Sequence, residues 1–369
     1  MLGLNSQSCL VIRSGYNRKN LLYEVRIDND ATKKPIDSLY NLIKTKYLKQ
    51  CGIVYCFSQK DTEDVASGLR KCGIKAACYH ANLEAEYRSR VHAQWYLGEI
   101  HVMVATVAFG MGIDKPDVHF VIHYSSSKSL ENYYQESGRA GRDGNPAECV
   151  ILWRFPDLFR LASMVSSERT GLSKLMHMVN YCIDPVTCRR KLLAQHLADT
   201  TWTQDDCPGA CDNCRRRLSS NEDHLVHLNI STLLEETEAL LTEHMARKQE
   251  RVTGPKLVEL MSSNRGIQQT AASLFGRSPV RVFYEHFVAW SLVNRWLKLE
   301  FHYTPYSTVC YVVPVDRRVE DSGDLFMPYL VLNGKRKQKQ EPNGDATKKR
   351  RKTEVFDMQS VETVELDSD

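Results

Sequence analysis

Between Asn17 and Trp153, short continuous apolar runs alternate with segments whose apolar residues recur at helical spacing. The run Gly52-Ile53-Val54-Tyr55-Cys56-Phe57-Ser58 predicts a buried strand, and Ser58 is placed to cap a following helix over Asp61–Lys71. That helix shows an apolar face through Val65 and Leu69 and stops at Cys72-Gly73. The pattern then predicts a short strand at Ala76–Tyr79, a helix over Glu84–Leu97 and a second apolar strand at Ile100–Thr106. A third strand at Val118–His123, a helix over Leu130–Arg139 and a fourth strand at Glu148–Trp153 complete the series. Strands alternating with helices of about ten to fifteen residues predict an α/β architecture, a parallel sheet covered on both faces. Ligands of such sheets bind at the loops beyond the carboxyl ends of the strands.

The segment from Phe155 to Arg217 reads as mostly helical and ends in a cysteine cluster. From Val226 to Pro314 the pattern is that of a small α+β domain. Helices are expected over Leu228–Met245, Pro255–Met261 and Val280–Val293, followed by a hairpin of Trp296–Tyr303 and Thr308–Val313. Three helices and then a hairpin is the order of a winged helix. Phe283, Tyr284, Phe287 and Trp290 share one helical face and read as core. From about Val315 apolar periodicity fades, and a disordered tail is expected. The boundaries are therefore a linker remnant at 1–16, a sheet-based lobe at 17–155, a helical metal-binding module at 156–220, a winged helix at 221–316 and a tail at 317–369.

Composition narrows the class. The 369 residues leave room for two or three domains, and 42% apolar with 25% charged residues is the balance of a soluble globular protein. No apolar run reaches the ~20 residues of a membrane span, and the first residues lack the pattern of a secretory signal. Of the twelve cysteines, Cys51, Cys56, Cys72, Cys78 and Cys149 sit singly in apolar runs, as reduced thiols of an intracellular protein do. Net charge is only +4, but Lys335–Lys352 is strongly basic and the residues after it are acidic. The basic block resembles a bipartite nuclear localisation signal and equally suits a basic arm on DNA.

Two stretches carry candidate phosphate chemistry. In Gln135-Glu136-Ser137-Gly138-Arg139-Ala140-Gly141-Arg142-Asp143, two arginines three apart each follow a glycine where a helix breaks into a loop. Guanidinium forks match phosphate, and an arginine from a second lobe neutralises charge developing on a transferred phosphoryl group. Taken alone, the same stretch reads first as a solvated basic turn. In Val104-Ala105-Thr106-Val107-Ala108-Phe109-Gly110-Met111-Gly112-Ile113-Asp114, a buried strand runs into a loop with two glycines and then a carboxylate. Thr106 offers a hydroxyl to a DNA phosphate, and Asp114 suits a ribose hydroxyl or the water around a nucleotide; a plain strand-to-helix turn is the alternative.

The cysteines at Cys188, Cys207, Cys211 and Cys214 form a single thiol, a spacer and then C-x3-C-x2-C. Three thiols within eight polar residues pack a core poorly, while the spacing brings sulfurs to one tetrahedral Zn2+. Cys182 competes with Cys188 for the fourth position. In the hairpin, Tyr306 lies at the expected tip beside Pro305, either exposed for stacking on a base or folded back on the wing. Arg277, Arg281 and Lys298 are candidate phosphate contacts and equally plain solvated charges.

Together these stretches resemble a known family. The strings YCFSQKDTEDVASGL, YHANL, VATVAFGMGIDKPDVHFVIHY and ENYYQESGRAGRDG are similar to motifs IV to VI of superfamily 2 helicases, and specifically to the RecQ family and its short type-one subgroup. The likeness runs from about Asn17 to Pro314. It implies a RecA-like second helicase lobe, a zinc module and a winged helix. It implies Arg142 as an arginine finger with Arg139 beside it, Gly110, Gly112, Asp114 and Gln135 at the nucleotide, and Thr106, His80 and Asn82 on DNA. It also favours Cys188 over Cys182 as the fourth zinc ligand and Tyr306 as a strand-separating residue. The function implied is ATP-dependent 3′-5′ DNA unwinding in the nucleus, in repair, replication and recombination, with structural zinc and with ATP and Mg2+ in the complete enzyme.

The chain holds neither a phosphate loop ending in Gly-Lys-Ser/Thr nor a DExH carboxylate pair. The stretch SGYNRKNLLYEV resembles the opening of the family's second lobe, so the chain reads as a back half that is catalytically incomplete alone. The partners expected are single-stranded and forked duplex DNA, the first helicase lobe and a further copy of the chain, with no membrane. The alternative reading is a non-catalytic DNA-binding regulatory protein built from the zinc and winged-helix modules.

Overall fold

The computed structural model describes residues 15–27, 35–110, 114–199, 202–203, 207–219, 224–275, 280–315 and 324–331. Six strands make one sheet: β1 (Leu21–Ile27), β2 (Gly52–Tyr55), β3 (Ala76–Tyr79), β4 (Val102–Ala105), β5 (Phe120–His123) and β6 (Ala147–Trp153). Every pairing is parallel, in the order β1-β6-β5-β2-β4-β3. Both faces are covered, which is why the strands are apolar without interruption. Alternate residues serve different cores. Ile53, Tyr55, Met103, Ala105 and Val121 point to one, and Val54, Cys56, Val102, Val104 and Ile122 to the other.

Helices α1 (Pro35–Lys46) and α2 (Gln59–Lys71) cover the second of these faces through Leu39, Leu42, Ile43, Val65 and Leu69. Helices α3 (Ala85–Tyr96) and α4 (Leu130–Ser137) cover the first through Val91, Trp95 and Tyr133. The cap expected at Ser58 is a full capping box: its Oγ accepts from the Asp61 amide at 3.0 Å, and Asp61 accepts from the Ser58 amide at 3.2 Å. The lobe is thus the parallel α/β sheet that the pattern predicts, and it fits the RecA-like lobe that the resemblance implies. Among the described residues, no helix is long and apolar enough to cross a membrane.

Four helices follow: α5 (Phe155–Val165), α6 (Gly171–Ile183), α7 (Arg189–His196) and α8 (Asp212–Leu218). They pack into the same core as the first face of the sheet. Beyond them, β7 (His224–Asn229) leads into α9 (Ser231–Lys248), α10 (Gly254–Ser263), α11 (Arg265–Phe275) and α12 (Arg281–Val293). The hairpin β8 (Leu297–Tyr303) and β9 (Thr308–Pro314) comes next, and β10 (Phe326–Val331) closes the described chain. Phe283, Tyr284 and Phe287 of α12 are buried as expected.

Several expectations need correction. The lobe also contains β1 and α1, which the apolar pattern alone does not set apart from the N-terminal segment. The helix expected from Leu228 is preceded by a strand, and α11 makes a fourth helix. The tail expected from 317 starts too early, because β10 pairs antiparallel with β7, Met327 opposite Leu228. Met327 is fully buried by that pairing. Its partner strand lies about a hundred residues upstream, so no local pattern announces it. Pro328 also argues against a strand, yet it is tolerated in a two-stranded ribbon where each strand is an edge. The basic block at 335–352 and the linker remnant up to residue 14 lie outside the described residues.

Candidate functional site

The arginine loop after α4 is built from its helix outward. Ser129 caps α4, its Oγ accepting from the Asn132 amide at 3.2 Å. One turn before the loop, Glu136 is buried and meets His123 Nε2 at 2.9 Å, and it also accepts the Ser127 hydroxyl. A buried carboxylate is costly unless its oxygens are satisfied. The imidazole of β5 and the Ser127 hydroxyl both meet Oε2 and so tie α4 to the sheet.

Arg139 then turns inward and donates from Nη1 to the Gly110 carbonyl. A Cβ on Gly110 would meet that guanidinium, so the glycine lets the arginine sit as close as it does. Arg142 lies at the loop's outer side and pairs with Asp114 at 2.8 Å, where Asp114 is 90% exposed. The structure therefore brings Gly110, Asp114, Arg139 and Arg142 together across two loops nearly thirty residues apart. Tyr55 supports the same loop from beneath, its hydroxyl donating to the Phe109 carbonyl at 2.9 Å. Gln135 is exposed on α4, and Gly112 lies outside the described residues.

The DNA-facing expectations divide. Thr106 is half-buried at the end of β4, and Asn82 is exposed in the loop after β3. His80 is the exception: it is 3% exposed, and its Nε2 meets Glu63 of α2 at 3.1 Å. Burial leaves that nitrogen turned to Glu63 and gives His80 little surface to present to a ligand. Tyr306 projects from the hairpin tip at 97% exposure. The tip is closed by Thr304 and Ser307: the Thr304 amide donates to the Ser307 carbonyl at 2.9 Å, and the Ser307 amide to Thr304 Oγ1 at 2.9 Å. Tyr306 is thus not folded back on the wing.

The four cysteines converge. Cys188, Cys207, Cys211 and Cys214 are buried, and their sulfurs all lie within 4.8 Å of one another. Cys188 begins α7, and Cys211 begins α8, where its Sγ accepts from the Cys214 amide at 3.5 Å. The Cys188 and Cys211 sulfurs are 3.8 Å apart. That equals the edge of about 3.8 Å for a tetrahedron with zinc–sulfur bonds of ~2.3 Å. Four thiolates leave no open position, which suits a structural ion. Cys182 takes no part; it is buried, with its Sγ 3.5 Å from Ser126 Oγ, and burial pushes its thiol up to about 12.

Sequence reasoning missed the residues that join these sites. Arg189 forks onto Asp212 at 2.9 and 3.1 Å, both side chains buried. Arg190 reaches the segment before β1, donating to the Lys19 and Leu21 carbonyls at 2.9 and 2.6 Å. Arg18 and Asn20 then hold the arginine loop. Their partners lie more than a hundred residues away, so no spacing pattern marks them.

Comparison with known proteins bears on both sites. The helicase conserved C-terminal domain matches residues 34–144, which include both arginines, and the RecQ zinc-binding domain matches 155–215, which include all four cysteines. The mouse protein named ATP-dependent DNA helicase Q1 is 42% identical over 306 residues, covering 82% of this chain and 46% of the relative. The Caenorhabditis elegans putative ATP-dependent DNA helicase Q1 is 43% identical over 321 residues, covering 85% and 48%. The Arabidopsis thaliana ATP-dependent DNA helicase Q-like 2 is 39% identical over 354 residues, covering 96% and 46%. The chain spans about half the length of these curated relatives. With the arginine loop inside one match and the four-cysteine cluster inside the other, the chain belongs to the RecQ family of superfamily 2 helicases and carries that family's helicase C-terminal and zinc-binding domains.

Proposed function

We propose that this chain supplies the second motor lobe, a structural zinc module and a winged-helix hairpin to an ATP-dependent 3′-5′ DNA helicase acting in the nucleus. The observation that carries the reading is the joining of two loops: Arg139 seated on the Gly110 carbonyl and Arg142 held at Asp114. Two guanidinium groups set at one edge of a parallel sheet are what a partner lobe needs to neutralise a triphosphate. ATP and Mg2+ would be bound chiefly by a lobe bearing a phosphate loop, which this sequence does not contain. Cys188, Cys207, Cys211 and Cys214 would hold Zn2+. Thr106 and Asn82 would contact the single strand, and Tyr306 would stack at the fork of a duplex. A further copy of the chain is a second proposed partner.

The same lack of a phosphate loop favours one other reading, a DNA-binding regulator without turnover. The discriminating measurement is DNA-stimulated ATP hydrolysis by the chain alone and by the chain joined to the portion of the mouse helicase that it does not span. Alone, the chain is expected to bind single-stranded and forked DNA with strong salt dependence and to show no turnover. Joined, it is expected to hydrolyse ATP, with Arg142→Ala lowering turnover by about 10³-fold. Turnover by the chain alone, abolished by Arg142→Ala, would overturn the divided-site reading. DNA binding without turnover in the joined protein would support the regulator.

A further inference from the structure

The four-cysteine cluster lies against the open edge of the sheet. Cys211 forms a parallel bridge with Tyr23 of β1, and the Tyr23 amide donates to the Ala210 carbonyl at 3.1 Å. The next exchange is with a side chain: the Val25 amide donates to Asp212 Oδ2 at 3.1 Å. That carboxylate is in turn forked by Arg189, the residue after Cys188. The metal loop therefore pairs with β1 through one bridge, and Cys211 lies between the two residues, Ala210 and Asp212, that accept from that edge.

The residues just before β1 turn toward the opposite end. Arg18 Nη1 donates to the Gly138 carbonyl at 3.1 Å, and Nη2 donates to the carbonyls of Ala140 at 3.1 Å and Gly141 at 2.6 Å. Asn20 Nδ2 donates to Gly141 at 2.7 Å and to Asn145 at 2.8 Å. Five donor contacts from two side chains thus fall on one loop, and the loop's carbonyls point inward while Arg139 and Arg142 flank them. Gly141 sits at φ +55, and a Cβ there would lie 2.5 Å from Asn20 Nδ2. The glycine is needed both for the left-handed turn and for the approach of Asn20. Arg190, two residues after Cys188, holds Asn17 Oδ1 at 2.7 Å as well as the Lys19 and Leu21 carbonyls. It thus bonds the Asn17 side chain before Arg18 and the backbone after it.

We propose that Arg18 and Asn20 are positioning residues for the arginine loop and that the metal site holds them in place, so that metal occupancy sets the order of Arg139 and Arg142. The physical path is contiguous: sulfur cluster, Cys211–Tyr23 bridge and Arg190, then the Asn17–Leu21 backbone, then Gly138–Asn145. The coupling concerns the loop's order and stands apart from what Arg142 later does to a phosphate, although its use in a motor rests on the function proposed above.

Hydrogen exchange of the whole chain, read by mass spectrometry, tests it. Three conditions are compared with the zinc-loaded protein: Arg18→Ala, Arg18→Lys and removal of zinc by a chelator. Arg18→Ala is expected to raise exchange over 138–145 by about tenfold while the amides of β2, β4 and β5 stay protected. Arg18→Lys, which offers charge without the fork, should recover only part of the protection. Zinc removal should open 207–214 and, with it, 138–145. An unchanged 138–145 segment in Arg18→Ala, or chelation that opens 207–214 alone, overturns the proposal. Should Arg18→Ala unfold β1, Asn20→Ala leaves the Arg18 fork in place and must still loosen 138–145. Because no nucleotide enters the measurement, its outcome is independent of whether Arg142 serves hydrolysis.

Discussion

Two exposed loops in this molecule carry candidate function, and they are held in opposite ways. The arginine loop from Gly138 to Asn145 is gripped from far along the chain, by Arg18, Asn20 and the Val118 carbonyl. Among the described residues, the hairpin tip from Thr304 to Ser307 is hydrogen-bonded by its own residues, and Tyr306 stands almost wholly in solvent. The difference matches the tasks proposed for the two loops. A guanidinium that must meet a phosphoryl group needs placement within about half an ångström, and a loop's own residues do not provide it. A ring that stacks on any base needs reach and local stiffness, and a two-residue turn clasped by two hydroxyl-bearing side chains supplies both.

If that contrast holds, damage should propagate in one region and stay local in the other. The largest expected effect is at the root of the clamp. Arg189→Ala would leave Asp212 buried without its partner, and loss of such a partner costs about 3–5 kcal/mol. Thermal unfolding monitored by circular dichroism should show the drop, and a shift under about 1 kcal/mol would show that the edge does not depend on this pair.

Between the two extremes lies the packing of α12 against the β7–β10 ribbon. Burial holds His286 down to about 4, against an ordinary value of 6.5. It packs edge-on to Tyr329 of β10 at 5.2 Å, so it ties α12 to the ribbon. Because its folded value is depressed, the unfolded state binds the proton first. The contribution is complete above pH 6.5 and is lost as pH falls toward 4, by up to about 3 kcal/mol. Denaturant titrations across that window should show the slope, and His286→Phe should flatten it. An unchanged slope in that variant would assign the dependence to other groups.

The smallest effect on stability is expected at the tip. Tyr306→Ala should change unfolding by less than about 0.5 kcal/mol. It should nevertheless weaken binding to forked DNA by ~1–3 kcal/mol, the worth of one stacked base. Fluorescence anisotropy with a labelled fork reads the second quantity. Equal binding by wild type and variant would remove Tyr306 from the DNA surface and leave it merely exposed.

Some of these features are legible in the order of residues alone. The continuous apolar strands mark a parallel sheet because both faces are covered, and Ser58 with Asp61 marks a helix start because capping is local chemistry. The cysteine spacing marks a metal site for the same reason: C-x3-C-x2-C brings sulfurs together within a few residues whatever the rest of the chain does. Other features are hidden by distance. The pairing of His80 with Glu63 is invisible until α2 packs against the end of β3. β10 looks like tail until β7 pairs with it.

The amino-acid sequence by itself determined the sheet class, the cysteine cluster, the two arginines and the family, since each depends on periodicity or on residues close in the chain. Only the tertiary structure decided that β1 is a sheet edge, that the cysteine loop closes it, and that Arg18 and Asn20 reach Gly141. Those contacts join segments more than 120 residues apart. Their geometry comes from the packing of whole elements against one another, and local propensity carries no trace of it.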